Sequence, residues 1–553
     1  MERPWLHSYP PGVPDEIDPD AYRSLTELFD ACVAEHAPRP AFVCMGRTLS
    51  YAALATEVAR LAGYLQYRGV KQGERVALML PNILQYPVAL FAVLQAGGTV
   101  VNCNPLLTPR ELEHQLADAG ATTLIVLENF AHVAEQALPG TRVRQVIVTG
   151  LGDMLGWGKG LLVNMVVRHV KKLVPPWRID GAVRWPQALA RGRRFPAAPV
   201  ATGADDLAFL QYTGGTTGVA KAAMLTHRNV IANLQQASAW IAGDLRPGEE
   251  TVITALPLSH IFALTANCLT FLRLGARNIL IPNARDLPAF IKVLATERFS
   301  VITGVNTLFN ALLNRKDFRA LDFSALKVSL GGGMAVQQAV AERWQQLTGC
   351  ALVEAYGLTE ASPAVAINPL QLAAFNGSIG LPLPSTEVVI RDEAGRDVPL
   401  GEPGELCVRG PQVMRGYWNR PDDTAAVMTA DGFLRTGDVA TMDAQGFLRI
   451  VDRKKDMVIV SGYNVYPNEV EAIVALHPGV LEVAVIGVPD RNTGEALKLY
   501  IVRRDPELTP GELIAHCRQH LSAYKVPHRI EFRDELPKTN VGKILRRALR
   551  ENP

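Results

Sequence analysis

The sequence predicts an α/β protein. A large N-terminal domain of stacked, mostly parallel sheets with helices carries a β-rich subdomain, and a small α+β domain follows at the C-terminus. Three observations predict it. Short apolar runs alternate with longer helix-like segments through the first part of the chain, as expected of parallel strands buried on both faces. After about residue 380, turn signals crowd together in DEAGRD, LGEPGE and DAQGF, between short alternating strands such as ELCVRG and GFLRIVD. The charged segment DRKKD at 452–456 then precedes a compact unit of about 100 residues, a size suited to a domain of its own.

Taken in order, residues 1–22 read as a Pro-rich arm. The runs RVALML (75–80), TTLIVLE (122–128), QVIVTG (145–150), VITALP (252–257), NILIP (278–282), SVITGV (300–305) and ALKVSLGGG (325–333) read as strands. PRELEHQLADAG (109–120) and MAVQQAVAERWQQLTG (334–349) read as helices between them. The most apolar stretch, YPVALFAVLQAGGTVV (86–101), is broken by Gln95 and the Gly97-Gly98 pair. It is too short and too interrupted to span a bilayer, and reads as a helix, a turn and a strand in the core. Beyond DRKKD come a strand (MVIVSG), a helix (NEVEAIVALHP), two strands (VLEVAVIGVPD, LKLYIVRR), a helix (TPGELIAHCRQHL) and a mobile-looking tail. The expected division is 1–453 and 454–553, with the β-rich subdomain at about 380–453.

Composition narrows the function. The 553 residues are 48% hydrophobic and 20% charged, with a formal net charge of +2. That is a globular chain with no global bias toward nucleic acid. None of the seven cysteines has C-x-x-C spacing, which argues against a zinc site or a disulfide framework and for a reducing cytosol. The opening MERPWLHSYPPGVPDE has prolines and acids where a secretory signal needs an apolar run.

The chemistry begins at YTGGTTGVAK (212–221). It is not a Walker A loop, because Val219 and Ala220 separate Gly218 from Lys221 and Ala222 stands where a hydroxyl is required. Glycines still let backbone N–H groups turn toward an anion. Thr213, Thr216 and Thr217 add hydroxyls, and Lys221 adds a charge. The strand-like AFLQY before it places the loop at a strand end, where open α/β sheets bind ligands. A second Gly-Lys pair lies in PKTNVGKILRR (537–547), more than three hundred residues later.

QYTGGTTGVAKAAMLTHRN resembles the signature of the adenylate-forming superfamily. YGLTE (356–360), RTGD (435–438), DRKKDMVIVSGYNVYPNEV (452–470) and PKTNVGKILRR resemble that family in the same order. The likeness is strongest to bacterial long-chain fatty-acyl-CoA synthetases of the fatty-acid degradation type, and extends to LPLSHIFALT, GVNTLFNALL and GPQVMRGYW. The resemblance implies a two-step reaction. A carboxylate attacks the α-phosphate of ATP to give an acyl-adenylate and pyrophosphate, and the thiol of coenzyme A then displaces AMP.

The resemblance also implies roles. Lys543 would bridge the substrate carboxylate and the α-phosphate, with Thr213 and Glu360 completing the catalytic set. Glu360 would hold Mg²⁺. ATP would lie against Thr213, Gly214, Gly215, Thr216, Thr217 and Lys221 at its phosphates, and against Gly331, Gly332, Gly333, Tyr356, Gly357 and Thr359. Asp438 would accept the ribose hydroxyls, joined by Ile450 and Arg453. His260, Gly304, Val305 and Gly332 would line the acyl pocket. Lys455 would be the hinge on which a mobile small domain turns, bringing Ser461, Gly462 and Tyr463 to coenzyme A. Aryl- or medium-chain acid:CoA ligation and non-enzymatic fatty-acid binding or uptake are the competing readings.

One further segment stands apart. In GLLVNMVVRHVKKLVPPW (160–177), Leu161, Leu162, Met165, Val166, Val170 and Leu173 fall on one helical face and Asn164, Arg168, Lys171 and Lys172 on the other, with Trp177 following. This is the pattern of an interfacial helix. The expected location is therefore the cytoplasm, with peripheral association at the cytoplasmic membrane open. Chain-length preference and a homodimer are also left open by the sequence.

Overall fold

The computed structural model describes residues 3–213, 220–461, 463–491, 493–539 and 541–551. Its frame is two large sheets. The seven-stranded sheet runs, in spatial order, Val183–Arg184, Gln145–Thr149, Thr123–Leu127, Arg75–Met79, Thr99–Asn102, Leu207–Thr213 and Lys221–Thr226. Only its last strand is antiparallel to its neighbour. The nine-stranded sheet has a parallel centre made of Leu352–Gly357, Val328–Gly331, Val301–Gly304, Thr251–Thr254, Arg277–Leu280 and Pro40–Cys44. Antiparallel strands close both its edges.

The apolar stretch at 86–101 folds as helix Gln85–Gln95, a turn, and strand Thr99–Asn102. Every residue from Gln85 to Leu94 is buried. A helix that is apolar all round must be covered on every side, and this one packs within the largest hydrophobic cluster of the chain. Local signals fix other elements. Helix Pro109–Ala119 starts with a capping box between Thr108 and Glu111 and stops at left-handed Gly120.

The β-rich segment is a four-stranded antiparallel sheet of Glu387–Arg391, Gly404–Arg409, Leu434–Met442 and Leu448–Arg453. The next strand, Val458–Val460, already belongs to a different sheet with Tyr463–Val465, Val480–Asp490, Gly494–Arg503 and Arg529–Phe532. Residues 454–457 thus connect a large unit and a small one.

Two expectations change. The tail is structured: strand Arg529–Phe532 adds in parallel to Gly494–Arg503, and helix Arg546–Glu551 follows. The N-terminal arm is docked: Trp5 is buried and the Tyr9 hydroxyl donates to the Pro382 carbonyl at 2.6 Å.

The amphipathic segment is helical, and the structure adds the orientation of its two faces. It forms helix Trp157–Met165, continued by the π-helical turn Val166–Val170. Asn164 and Arg168, on the polar face, point inward. Asn164 accepts from the Gly152 N–H at 2.7 Å, and Arg168 pairs with the buried Glu128 carboxylate at 2.5 Å, which Arg184 also engages at 3.0 Å. The apolar face is the one left outside: Trp157 is 92% exposed, Val170 70% and Leu161 65%. Trp177 lies under the Arg184 guanidinium and packs against the core.

Candidate active site

Strand ends of the large unit build the site, and a turn of the small unit completes it. Strand Leu352–Gly357 ends at the edge of the parallel core and leads through the 3₁₀ turn Thr359–Ala361, so one short segment delivers Tyr356, Gly357, Thr359 and Glu360. Gly357 is required there, because a Cβ would meet the Pro363 carbonyl oxygen at 2.2 Å. The neighbouring strand Val328–Gly331 runs into Gly332 and Gly333, with Gly331 in register with Glu354. A Cβ on Gly332 would meet the Phe262 ring at 3.0 Å and the Ala355 carbonyl oxygen at 3.2 Å.

One bank of the site is centred on Asp438. Asp438 and Arg453 are cross-strand partners in the four-stranded sheet, so their side chains share a face. The Tyr356 hydroxyl donates to Asp438 Oδ2 at 2.6 Å and Arg453 Nε lies 3.3 Å from Oδ1. Ile450 lies on the same strand as Arg453, opposite Ala440. A fixed carboxylate beside an aromatic ring and a guanidinium suits a ribose diol and a base.

The second bank holds cations and the remaining carboxylate. Thr213 and Lys221 are antiparallel partners at the edge of the seven-stranded sheet, and the Thr213 hydroxyl donates to the Lys221 carbonyl at 3.3 Å. Lys221 pairs with Asp423 at 2.5 Å and lies over the Tyr417 ring. The Tyr417 hydroxyl donates to Glu360 Oε1 at 2.7 Å. Tyr417 therefore joins Glu360 to Lys221. Neither Tyr417 nor Asp423 was singled out from the sequence: their partners are 57 and 202 residues away, and although Tyr417 lies in the quoted stretch GPQVMRGYW, nothing local ties it to Glu360. Gly214, Gly215, Thr216 and Thr217 lie outside the described residues.

The small unit brings Lys543. Its turn closes on itself: the Gly542 N–H donates to the Thr539 carbonyl at 3.0 Å and the Lys543 N–H to the Thr539 hydroxyl at 3.1 Å. Gly542 has φ +85°, a conformation that favours glycine. Its carbonyl accepts from the Thr307 hydroxyl of the large unit at 2.8 Å, and Val305 sits beside it. Burial, and then the nearby Arg453 guanidinium, pulls the Lys543 ammonium down to about 8. Asp438 acts in the opposite sense, and Arg546 and Lys455 add to the repulsion. Lys543 thus lies within the electrostatic reach of the Asp438 bank.

Val305 also connects the lysine turn to the expected acyl pocket. Gly304 and Val305 end a parallel strand, and a Cβ on Gly304 would meet the Phe309 ring at 3.0 Å. His260 is near enough to feel Lys543. Burial, and then the Lys543 charge, pulls the imidazole down to about 4. It is neutral at neutral pH, and Nδ1 accepts the Phe262 N–H at 3.3 Å. Nε2 then carries the proton and can donate to a carboxylate. Phe262 and Thr307 were not singled out from the sequence, although they lie in the quoted stretches LPLSHIFALT and GVNTLFNALL.

Glu354 was likewise not anticipated. Burial pushes its carboxyl up to about 8, and Oε1 accepts the Val336 N–H at 3.1 Å, tying down the loop that follows Gly331, Gly332 and Gly333. The elements expected at coenzyme A are elsewhere. Ser461 and Tyr463 are exposed on the small unit, where Tyr463 stacks on Tyr524, and Gly462 lies outside the described residues. Lys455 is exposed in the connecting turn.

A sheet-edge cation, a carboxylate–tyrosine–guanidinium bank and a lysine delivered by a second unit together define an adenylate-forming enzyme. The chain belongs to the AMP-binding enzyme family: the model of that family matches residues 29–418, and that of the AMP-binding enzyme C-terminal domain matches 469–543. Among particular relatives, it is 58% identical over 552 residues to the long-chain-fatty-acid–CoA ligase of Yersinia pestis, covering 100% of this chain and 98% of that one. In three dimensions it is similar to the anthranilate CoA ligase AuaEII in complex with anthranoyl-AMP. The TM-score is 0.85 at 25% identity, over 97% of this chain and 99% of that one. It is also similar to ATP-bound MatB from Rhodopseudomonas palustris, with TM-score 0.81 at 28% identity, covering 95% and 98%. The apo form of MatB gives 0.73 over the same shares.

Proposed function

We propose that the protein is an ATP-dependent long-chain fatty acid:CoA ligase that forms an acyl-adenylate and then an acyl-CoA thioester for oxidative breakdown. One observation carries the reading: Lys543, supplied by the small unit, sits with Asp438, Arg453 and His260 of the large unit. Joining a carboxylate to an α-phosphate brings two anions together, so charge neutralisation and positioning are what the reaction needs. Lys543 supplies the movable cation and Lys221 a fixed one. Neutral His260 adds a hydrogen bond toward the carboxylate without placing a second positive charge beside Lys543. Tyr356, Asp438, Ile450 and Arg453 hold the nucleoside end, and the glycines at 331–333 let it approach the backbone.

Glu360 is the residue we assign to Mg²⁺, which would neutralise phosphate charge. Its carboxylate is a hard oxygen donor that, among the described residues, takes a hydrogen bond from the Tyr417 hydroxyl. Among the described residues no group of three or more His, Cys, Asp or Glu side chains surrounds it. Such a donor set fits an ion held largely by phosphate and water. Pyrophosphate release with acids from C6 to C20 and with benzoate tests the substrate class. Release that requires ATP and rises for the long acids supports the reading. Preference for benzoate supports an aryl ligase, and no release with any acid supports a binding protein.

A second reading concerns location. The outward apolar face of residues 157–173 is rimmed by Lys171, Lys172 and His169, and Asn164 and Arg168 are engaged by the protein. That combination supports docking on an anionic bilayer, with the body of the enzyme on the cytoplasmic side. Among the described residues no helix is long and apolar enough to cross a membrane. Flotation with vesicles containing anionic lipid should be lost for Leu161→Glu combined with Lys171→Glu and Lys172→Glu. Flotation unchanged by these substitutions overturns the assignment. Arg168 is unsuitable for the test because it neutralises Glu128.

A further inference from the structure

Arg546 has no place in the chemistry described so far, yet it is one of the most heavily engaged side chains in the protein. It is 15% exposed and faces four side chains. Two belong to the small unit, Glu471 (Nη2 to Oε2, 2.7 Å) and Asn468 (Nη2 to Oδ1, 2.5 Å), and a third, Asp456 (Nη1 to Oδ2, 3.4 Å), lies in the connecting segment. The fourth, Asp452, belongs to the large unit. It lies on strand Leu448–Arg453, paired with Val439 of the four-stranded sheet, and its Oδ1 is 3.5 Å from Nη1. Asp452 is fully buried and also accepts the Asn468 N–H at 2.8 Å. Both contacts cross the 454–457 connection.

The distances divide the cluster. The contacts to Glu471 and Asn468, at 2.7 and 2.5 Å, anchor the guanidinium within the small unit, while those to Asp456 of the connection and Asp452 of the large unit are longer, at 3.4 and 3.5 Å. Rotating the small unit away from strand Leu448–Arg453 would break the Asp452 contacts and leave Glu471 and Asn468 in place. Opening then strands no charge on the arginine, although a buried charge without a partner is strongly unfavourable. The Asp452 carboxylate loses these two contacts, keeps the N–H of its strand neighbour Arg453 at 2.7 Å, and gains water. This is the geometry of a contact that holds one arrangement and can be released.

It is also connected to the reacting lysine. The Lys543 turn is closed at its base by the Lys538–Ile544 bridge and by the Leu545 N–H donating to the Pro537 carbonyl at 2.8 Å. Arg546 is the next residue. Arg550, one turn along helix Arg546–Glu551, pairs with Asp456 at 2.8 Å. The end of the chain is thus pinned to the hinge segment on one side and presents Lys543 on the other.

We propose that Arg546 and Asp452 form a releasable latch across the hinge, and that they are positioning residues for adenylation, holding the small unit where Lys543 reaches the site. This rests on the ligase reading, because it assigns the latch to the first half-reaction. The test separates the halves: acyl-adenylate formation followed by pyrophosphate release, and thioester formation from supplied acyl-adenylate and coenzyme A. Asp452→Asn should lower kcat for the first half by about tenfold, the scale of one lost charge-assisted contact. KM for ATP should be unchanged, and the second half should proceed at the wild-type rate or faster. Glu471→Gln, a change wholly inside the small unit, should alter both halves by the same factor. Arg546→Lys should recover part of the first-half rate lost in Arg546→Gln, with thermal midpoints recorded for each.

Equal slowing of both halves by Asp452→Asn overturns the latch in favour of a structural cluster. So does a rise in KM for ATP with kcat intact, because Asp452 would then act through Arg453 and the nucleotide. No effect of Asp452→Asn on either half overturns it as well. Failure of the ligase reading is distinct: the wild-type protein would then release no pyrophosphate with any acid.

Discussion

Lys221 and Lys543 each come after a glycine-bearing motif in the sequence, and they are held in opposite ways. Lys221 extends from a strand of the seven-stranded sheet, paired to Asp423 and lying over Tyr417. Lys543 extends from a turn of the small unit and faces Arg453, Lys455 and Arg546, with Asp438 the carboxylate that favours its charge. The first cation is neutralised and fixed before any ligand arrives. The second is held among like charges, in a state that an incoming polyanion relieves. A fixed cation can mark a binding place. A cation kept short of counter-charge gains most when negative charge develops beside it, and it resides on the part of the molecule that can leave.

The largest effect that would test this contrast is at Lys543. Lys543→Ala should reduce acyl-adenylate formation by about 100- to 1,000-fold, the usual cost of removing one positioned electrostatic group, and spare thioester formation from supplied acyl-adenylate. Loss of both halves alike would erase the distinction between the lysines. Lys455→Pro should act in the reverse sense, slowing the thioester half by about tenfold or more, because proline restricts the backbone at the hinge. Steady turnover unaffected by it would place the hinge elsewhere. Lys221→Ala should raise KM for ATP by about tenfold, with a smaller effect on kcat, as expected of a group that binds ground and transition states alike. A kcat effect as large as that of Lys543→Ala would give Lys221 the same role.

Proton linkage sharpens the comparison further. Lys543 must be charged to act, and its ammonium lies near 8 in the ligand-free protein. The value of kcat/KM for ATP should therefore be full below that pH and fall as pH rises through it, by up to about tenfold per unit. Lys455 and Glu354 also titrate near 8, so the assignment needs Lys543→Arg, which should move the falling limb to higher pH. A limb left in place by that substitution belongs to one of the other two. The smallest effect is expected at Gly542. Alanine there would strain a left-handed residue and meet the Thr307 hydroxyl at 3.0 Å, costing about 1 kcal/mol, or roughly fivefold in adenylation.

Much of the frame was legible before any coordinates. The runs at 75–80, 122–128, 145–150 and 300–305 are strands because a parallel sheet covered on both faces has no use for alternation. The broken apolar stretch at 86–101 is a helix and a strand because glycines cannot continue either. The tail was not legible: strand Arg529–Phe532 alternates weakly, and pairing with a strand from 494–503 is what makes it one. The face of residues 157–173 was legible as amphipathic but not in its orientation. The hydrophobic pattern is the same whether the apolar side faces an interface or the core, and it is the buried Glu128 carboxylate that turns Arg168 toward the protein.

The sequence by itself determined which residue types carry the chemistry, since glycines that free the backbone and the Asp, Glu and Lys of short motifs are local properties. Tertiary structure alone decided which of them meet. Tyr417 reaches Glu360 across 57 residues, Asp423 reaches Lys221 across 202, and Gly542 rests on Thr307 across 235, because these contacts depend on how sheets and units pack and leave no periodic trace along the chain. Whether Lys543 is an ordinary lysine of a basic tail or a poised cation is likewise a matter of what the fold brings around it.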